Sequence, residues 1–334
     1  MRVGLIDYDS KIPNLALMKL STYHKSLGNK VILNPKPGQA DHVYCSVLFT
    51  WSKGKASKLV RQFPSIEFGG TGWDLETRLP DAIEQMRPDY DLYTIDDLYP
   101  RLKGIRHGER RMAKIRELLD GGIGFTSRGC VRDCPFCFIP QKEGPLTKAS
   151  DIESLLNSRS NLLTLLDNNF TADPECLQKL HEMRDRNLTV NITQGLDVRL
   201  MTDEIAQALS HVRLYGSGRR IYYAWDLMGF EKQVWEGINI LKRHIKTYRH
   251  TCYMLVGFNT TWEEDFYRFS KLKEAGVTPY VMIYNKNAGP VDLRLMHFAR
   301  WVNAHIHKAC RNFSQYERWA KVKEAYLAGD LLAV

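Results

Sequence analysis

The sequence predicts a mixed α/β protein in which a small open α/β domain precedes a series of β-α units that is closed or partly closed like a barrel. Short apolar runs alternate with amphipathic segments of helical length, and capping residues and glycines separate them. Six strand candidates follow one another after residue 120, which favours a parallel sheet covered by helices. The predicted organisation is an α/β domain over 1–95, a connector over 96–120, a barrel over 121–290 and a helical extension over 291–334.

The first 95 residues are typical of an open, Rossmann-like α/β unit. VGLID (3–7) predicts a strand, and residues 13–28 predict a helix with Pro13 near its start and Gly28 at its end. Further strands are predicted over 31–33, 43–49 and 65–68. Residues 34–42 are too few to hold a helix between the second and third strands.

The barrel region is defined by its strands and by the residues that begin and end the helices between them. Strands are predicted over 123–127, 162–167, 188–194, 220–226, 251–258 and 279–285. Helix boundaries are indicated by capping boxes at Ser150 with Glu153 and at Thr261 with Glu264, by Asp173 before Pro174, and by Gly276. In the extension the predicted packing positions are Phe298, Trp301, Val302, Ile306 and Trp319.

Composition excludes some classes of protein and leaves others open. With 44% hydrophobic and 25% charged residues and no apolar run of membrane-spanning length, the chain is expected to be soluble and not to bind a membrane. Four cysteines lie singly, which argues against a secreted disulfide framework and favours a reducing cytoplasm. The net charge is +9, and residues 241–334 hold 15 basic and 8 acidic residues, a local excess of +7. This excess fits nucleic acid, a phosphorylated substrate or a solubilising surface.

The segment SRGCVRDCPFCFIP (127–140) holds three cysteines within eight positions: Cys130, Cys134 and Cys137. Zinc would require a fourth Cys or His, and neither a second cysteine pair nor a nearby histidine follows. Thiolates also hold iron–sulfur clusters, normally four for a cubane. Three ligands leave one iron open, so the missing ligand is predicted to be a substrate or cofactor.

The spacing Cys130-x3-Cys134-x2-Cys137, on the loop after the first of six β/α units, resembles the radical S-adenosylmethionine (SAM) superfamily. The resemblance covers roughly residues 120–290. It implies a partial (β/α)6 barrel, a [4Fe–4S] cluster whose open iron is chelated by SAM, and a one-electron donor of the flavodoxin or ferredoxin type. Reductive cleavage of SAM would then give a 5′-deoxyadenosyl radical that abstracts hydrogen from substrate, with the difficult chemistry belonging to the cofactors.

The resemblance also implies cofactor contacts on the strand-end segments. Phe136 matches the aromatic position near the adenine, Asp167 or Asn168 would accept from the methionine amine, and Gly257 would allow close approach of the adenine. The remaining implied SAM contacts are Gln194 and Asp197 for the ribose, Arg199 for the carboxylate, and Met282 and Tyr284 beside the adenine. Each of these can instead be an ordinary structural partner or core residue. Trp225, Asp226 and Asn259 are predicted to contact substrate.

The first domain resembles the cobalamin-binding domain that precedes many radical SAM barrels. Ser46-Val47-Leu48 and Gly69-Gly70 lie where that fold has its serine-x-leucine and double-glycine motifs. The aspartate-x-histidine-x-x-glycine signature is absent, and the helix between strands two and three is missing. The favoured interpretation is therefore a trimmed domain without corrinoid, with cobalamin as the alternative.

The sequence leaves the reaction open. The first hypothesis is a radical SAM enzyme that acts on a small metabolite or a modified nucleobase. The second is a radical SAM enzyme that modifies tRNA or another nucleic acid, suggested by the basic carboxyl-terminal part with interleaved aromatic residues. A cobalamin-dependent radical SAM methyltransferase and a SAM-binding iron–sulfur sensor or electron carrier are the further alternatives. The four scattered cysteines offer no second cluster, which counts against methylthiotransferases.

Overall fold

The structure is a computed structural model that describes residues 1–216, 218–287 and 289–329. The chain forms two compact units. The first comprises residues 1–169 and 185–193, and the second comprises residues 170–184 and 194–334. The domain boundaries expected from the sequence remain a prediction.

The first unit begins with a four-stranded parallel sheet in the order β2-β1-β3-β4. All four strands predicted for this region are confirmed. Helix α1 follows the first strand, and its N-cap is Asn14, whose side chain accepts from the Leu17 amide. No helix lies between β2 and β3, as the short connection predicted. The bounds are β1 Arg2–Asp7, α1 Leu15–Ser26, β2 Lys30–Leu33, β3 His42–Ser46, α2 Lys53–Ala56, β4 Ile66–Gly69, α3 Asp81–Glu84, α4 Ile95–Leu98 and α5 Gly108–Asp120.

The rest of the first unit is a second parallel arrangement that carries the cysteine segment. Strand β8 pairs with β5 on one side and with β9 on the other, both in parallel. A short antiparallel pair, β6 with β7, encloses the cysteines between its two strands. The bounds are β5 Gly122–Gly124, β6 Ser127–Arg128, α6 Ile139–Lys142, β7 Thr147–Lys148, α7 Ile152–Leu155, β8 Leu162–Leu165 and β9 Thr189–Ile192.

The second unit contains a parallel sheet in the order β11-β12-β13, with helices packed on it. A parallel bridge joins Leu196 to Tyr223 beside this sheet. The bounds are α8 Cys176–Asp185, α9 Asp203–His211, β10 Arg213–Leu214, β11 Ile221–Ala224, α10 Glu231–His244, β12 His250–Val256, α11 Trp262–Glu274, β13 Thr278–Ile283, α12 Leu293–Asn303, α13 Glu317–Ala320 and α14 Lys323–Leu327.

The capping predictions had different outcomes. The Thr261–Glu264 box is confirmed, since each residue's side chain accepts from the backbone amide of the other. Asp173 accepts from the Glu175 amide at 2.8 Å, but α8 begins at Cys176, two residues later than an N-cap at Asp173 with Pro174 as the first helical residue would give. The box at Ser150 is wrong, because α7 begins after Asp151 and the Ser150 amide donates instead to the Thr126 carbonyl.

The carboxyl-terminal extension is helical, and its aromatic residues form a core. Phe298 and Trp301 are fully buried, and Trp319 is 5% exposed. Ile306 is only half-buried, and its neighbour His307 is buried instead, against the rings of Phe269 and Trp301. The aromatic residues interleaved with the basic residues of the extension are therefore used for packing.

Within residues 1–216, 218–287 and 289–329 the strands form mixed α/β layers with parallel sheets and no closed barrel. Over those same residues, no helix combines the length and the hydropathy needed to cross a bilayer.

Candidate functional site: the cysteine loop

The cysteine loop is residues 127–140, and its first two residues belong to a short antiparallel ladder. Ser127 pairs with Lys148 and Arg128 with Thr147 across the short antiparallel ladder. Gly129 has φ +80, and a Cβ there would lie 2.2 Å from the Pro145 carbonyl oxygen. Only glycine is compatible with both the backbone angle and this close approach. The sequence therefore holds the first cysteine at a defined point, immediately after a required glycine.

The three thiols differ in exposure. Cys130 and Cys134 are half-buried, and Cys137 is exposed. The Cys137 amide donates to the Cys134 carbonyl at 2.9 Å, which makes a tight turn between the second and third cysteines. Phe136, within this turn, is half-buried. The loop therefore holds the thiols at or near the protein surface.

The sulfur of Cys130 accepts two N–H groups. The Arg132 amide and the Asn169 side-chain amide each lie 3.4 Å from its Sγ atom. Hydrogen bonds of this kind stabilise a charged sulfur, and they tune the potential of cysteine-bound clusters. Asn169 is 5% exposed and was not singled out from the sequence. Its position in LLDNNF (165–170) could have identified it, because it directly follows Asp167 and Asn168, which the sequence analysis did single out.

Asp167 is a buried anchor for the strand that leads into the loop. It is 1% exposed, and its carboxylate accepts from the Thr126 amide at 2.7 Å and from the Ser127 amide at 2.9 Å. The Thr126 hydroxyl donates to the same carboxylate at 3.0 Å. Charge-assisted bonds to backbone amides are among the stronger hydrogen bonds of a protein. Within the first unit, Asp167 therefore fixes the chain where β5 passes into the cysteine loop.

The next residue continues this pattern. Asn168 is half-buried, and its side-chain oxygen accepts from the Gly129 amide at 3.0 Å. Together with the bond from Asn169 to Cys130, three consecutive residues after β8 hold consecutive parts of residues 126–130. The structure therefore brings the predicted 167–168 segment next to the cysteines, as a support for their loop.

Three sulfurs that already converge on one point would be the simplest sign of a metal centre. No group of three or more His, Cys, Asp or Glu residues is arranged to hold a metal ion in the part of the chain that the structure describes. The fit of a cluster therefore rests on the donor set, three thiols on one anchored loop, and on the two N–H groups aimed at Cys130. These features fit a thiolate-bound iron–sulfur cluster.

In the second unit, Asp197 and Arg199 pair with each other. The guanidinium is bidentate on the carboxylate, with Nε to Oδ1 at 2.7 Å and Nη2 to Oδ2 at 3.0 Å. The guanidinium also lies over the Phe230 ring, 4.7 Å from its centre. Gln194, the other predicted ribose contact, is exposed. Asp197 and Arg199 are thus fixed by their own ion pair.

A pocket of about 490 Å³ lies in the second unit, beside the carboxyl ends of β12 and β13. Gly257 and Tyr284, both predicted adenine neighbours, line it. Gly257 has φ +75, and the Tyr284 ring packs edge-on against Phe258 at 4.8 Å. The other lining residues are Thr260, Trp262, Asp265, Ile283, Asn285, Gly289, Pro290, Val291, Asp292, Arg294 and Leu295. The pocket therefore combines aromatic and polar groups at strand ends, where α/β folds usually bind ligands.

Met282 and Asn259 do not line this pocket. Met282 is 47% exposed on β13, and Asn259 is exposed with φ +50 in the turn after β12. Both predicted roles remain predictions.

The predicted contact of Trp225 with substrate does not fit the position of this residue. Trp225 is fully buried, and its ring packs edge-on against Trp235 of α10 and Tyr267 of α11. It shares the helix-covered side of β11 with Ile221 and Tyr223, since all three follow the two-residue alternation of the strand. Trp225 is a core residue in this structure.

Asp226 points the other way and is held by the sheet. Its Oδ1 accepts from the Leu255 amide at 2.9 Å, and burial raises the pKa of its carboxyl above the ordinary value. Its backbone carbonyl accepts from Arg268, a buried residue of α11 that also donates to the carbonyls of Trp225 at 2.6 Å and Leu255 at 2.7 Å. Arg268 thus ties together the ends of β11 and β12, a role that no sequence pattern indicated.

The carboxyl edge of the first sheet, where a corrinoid would be expected, is filled by side chains of the first unit. The Tyr93 hydroxyl donates to Asp7 at 2.7 Å, and Arg101 pairs with the same carboxylate. The Ser46 hydroxyl, of the serine-x-leucine motif, accepts from the Asn14 side-chain amide at 2.9 Å. These polar groups satisfy one another within the fold.

The double-glycine motif also has an internal explanation. A Cβ on Gly70 would lie 2.4 Å from the Val47 carbonyl oxygen, so the glycine allows close contact with the chain after β3. The amides of Leu48 and Phe49 are capped by the Asp9 carboxylate, at 2.8 and 3.1 Å. These groups do not fit a corrinoid site, because the chain itself occupies them.

Comparison of the chain with protein-family models and with curated proteins found no match.

Proposed function

We propose that this protein is a radical SAM enzyme, in which Cys130, Cys134 and Cys137 ligate three irons of a [4Fe–4S] cluster. The observation that carries the proposal is the three-cysteine loop, with its first sulfur accepting two N–H groups. When bound, such a cluster supplies the electron that breaks the sulfur–C5′ bond of SAM, and the resulting 5′-deoxyadenosyl radical abstracts hydrogen from substrate.

The chain's own residues position the ligands. Asp167 and Asn168 hold the backbone at Thr126, Ser127 and Gly129, which sets where the loop begins. This makes them positioning residues for the cysteines. A ligand set held in advance loses less conformational entropy when the metal binds.

The second unit supports a site for the nucleoside part of SAM. The pocket beside β12 and β13 offers Gly257 and Tyr284, and residues 256–265 provide the family-like segment after the fifth strand. Asp197 and Arg199 retain their proposed ribose and carboxylate roles, for which their mutual ion pair would have to open. The proposed substrate is a small metabolite or a modified nucleobase. Cobalamin is not part of the proposal, because the groups expected to hold it are used inside the fold.

Electron paramagnetic resonance tests the proposal without requiring turnover. Anaerobically reconstituted and reduced protein is expected to show a cluster signal that changes in shape when SAM is added, because SAM would coordinate the iron that lacks a cysteine. The matched control is S-adenosylhomocysteine with the same protein, to show whether the change depends on the SAM sulfonium group. A full cluster whose signal is unaffected by SAM would refute the open-iron assignment and favour a plain electron carrier.

A further inference from the structure

Residues 49–61, FTWSKGKASKLVR, form a basic surface of the first unit. The segment carries Lys53, Lys55, Lys58 and Arg61, and no Asp or Glu occurs from residue 50 to residue 65. All four basic side chains are exposed. Within residues 1–216, 218–287 and 289–329, none of the four forms an ion pair. Four cations on one short segment therefore have no described acidic partner.

An exposed aromatic ring lies within this basic segment. Trp51 is 55% exposed, and its ring stacks on Phe49 with 4.6 Å between ring centres and 11° between ring planes. Phe49 thus covers one face of the Trp51 ring, and the exposed part of the ring can stack on a second partner. Bases stack on such rings regardless of sequence, because every base has a π-face.

A second stacked pair of aromatic rings lies against the ammonium group of Lys53, the first basic residue of the segment. Phe68 and Trp73 stack at 4.1 Å, and the Lys53 ammonium lies over the Trp73 ring at 5.1 Å. The Trp73 ring is therefore in contact on two sides, which anchors the start of the basic run relative to the sheet. Trp51 is the ring of this group that remains exposed to solvent.

The carboxyl-terminal extension (291–334), which is part of the basic region 241–334 that the sequence suggested as a nucleic-acid surface, lacks this combination. Its rings Phe298, Trp301, Phe313 and Trp319 are buried, at no more than 5% exposure each. Buried rings cannot stack on bases. Of these two regions, residues 49–61 combine cations that have no acidic partner among the described residues with an exposed ring.

We propose that residues 49–61 bind single-stranded nucleic acid, with the basic side chains on the phosphates and a base stacked on Trp51. Cations and an exposed ring in one groove or segment are the recurrent elements of single-strand recognition. This inference goes beyond the proposed function and does not depend on it, because it requires neither a cluster nor SAM. If both hold, the substrate class is a nucleotide within a single strand.

Fluorescence anisotropy with a labelled 12-nucleotide single-stranded RNA, and DNA of the same sequence, tests this proposal on the full chain. Each phosphate contact to a single strand contributes a slope of roughly −0.7 in log K against log salt, so four contacts predict a slope near −3. The Lys55→Gln/Lys58→Gln variant should make this slope less negative by about 1.4, because two phosphate contacts are lost. Trp51→Ala should weaken binding about tenfold and leave the slope unchanged. Tighter binding of either the RNA or the DNA supports the proposed binding surface and shows whether that surface prefers ribose or deoxyribose.

Matched controls separate this surface from net charge and from general hydrophobicity. Lys308→Gln/Lys321→Gln removes two exposed charges of the extension, and Tyr248→Ala removes a ring that is 67% exposed in the second unit. Neither should change affinity beyond twofold. The proposal would be overturned if the control variants lost as much affinity as the Lys55→Gln/Lys58→Gln and Trp51→Ala variants. It would also be overturned if binding were insensitive to salt, if a duplex bound as tightly as the single strand, or if the protein bound only to phosphatidylserine vesicles.

Discussion

Replacing Cys134 with alanine is expected to abolish assembly of the cluster, reducing bound iron from about four per chain to background. The same loss is expected for Cys130→Ala and Cys137→Ala, because a cubane held by three thiolates cannot be retained stably by two. The readouts are iron and sulfide content and the visible absorbance after anaerobic reconstitution. These do not depend on a substrate, so the prediction can be tested now.

Cys310→Ala is the matched control for this series. Cys310 is half-buried, like Cys130 and Cys134, and its thiol donates to the Asn312 carbonyl at 3.3 Å. Its carbonyl accepts from the Trp301 indole, a contact that the substitution keeps. Full iron content in any of the three loop variants would contradict the ligand assignment. Loss of iron in Cys310→Ala would indicate that the chain binds iron without selecting the loop.

The second large effect is expected at Asp167. Asp167→Ala would leave the Thr126 amide, the Ser127 amide and the Thr126 hydroxyl without their acceptor in a buried position. Unsatisfied buried donors cost about 1–3 kcal/mol each, so we expect the free energy of unfolding to fall by about 3 kcal/mol or more. Urea denaturation measures this loss, and amide hydrogen exchange at residues 126–130 localises it.

The control distinguishes positioning from direct SAM contact. Asp151→Ala removes a carboxylate that is 77% exposed and, within the described part of the chain, pairs with exposed Lys148, so stability should change little. Asp167→Asn should fall between wild type and Asp167→Ala, because its amide keeps one acceptor oxygen. If Asp167→Ala is as stable as wild type and only SAM affinity falls, then Asp167 contacts SAM and the anchoring role is wrong.

The strands were predictable because they depend on local patterns. Each of the six predicted after residue 120 exists, within a few residues of its predicted bounds, since apolar runs ended by glycine or capping residues specify strands locally. The Thr261–Glu264 box was predictable for the same reason. The outcome at Ser150 was not predictable, because the Ser150 amide donates to the carbonyl of Thr126, a residue distant in sequence.

The three cysteines were predicted as ligands, an assignment that stays a prediction, whereas the residues that support their loop were not foreseen in that role. Spacing alone identified the three cysteines, whereas the bonds from residues 167–169 to residues 126–130 depend on strand pairing between β5 and β8. The prediction for Trp225 failed because the local sequence does not show which face of the sheet an aromatic residue at a strand end occupies. Its partners on α10 and α11 decide that face.

Mass spectrometry for 5′-deoxyadenosine is the most direct test of the central claim. Anaerobically reconstituted protein, reduced and incubated with SAM, is predicted to release 5′-deoxyadenosine, and Cys134→Ala is predicted to release none. Protein with a full cluster that gives no more 5′-deoxyadenosine than the Cys134→Ala variant would contradict the claim and favour an iron–sulfur sensor or electron carrier.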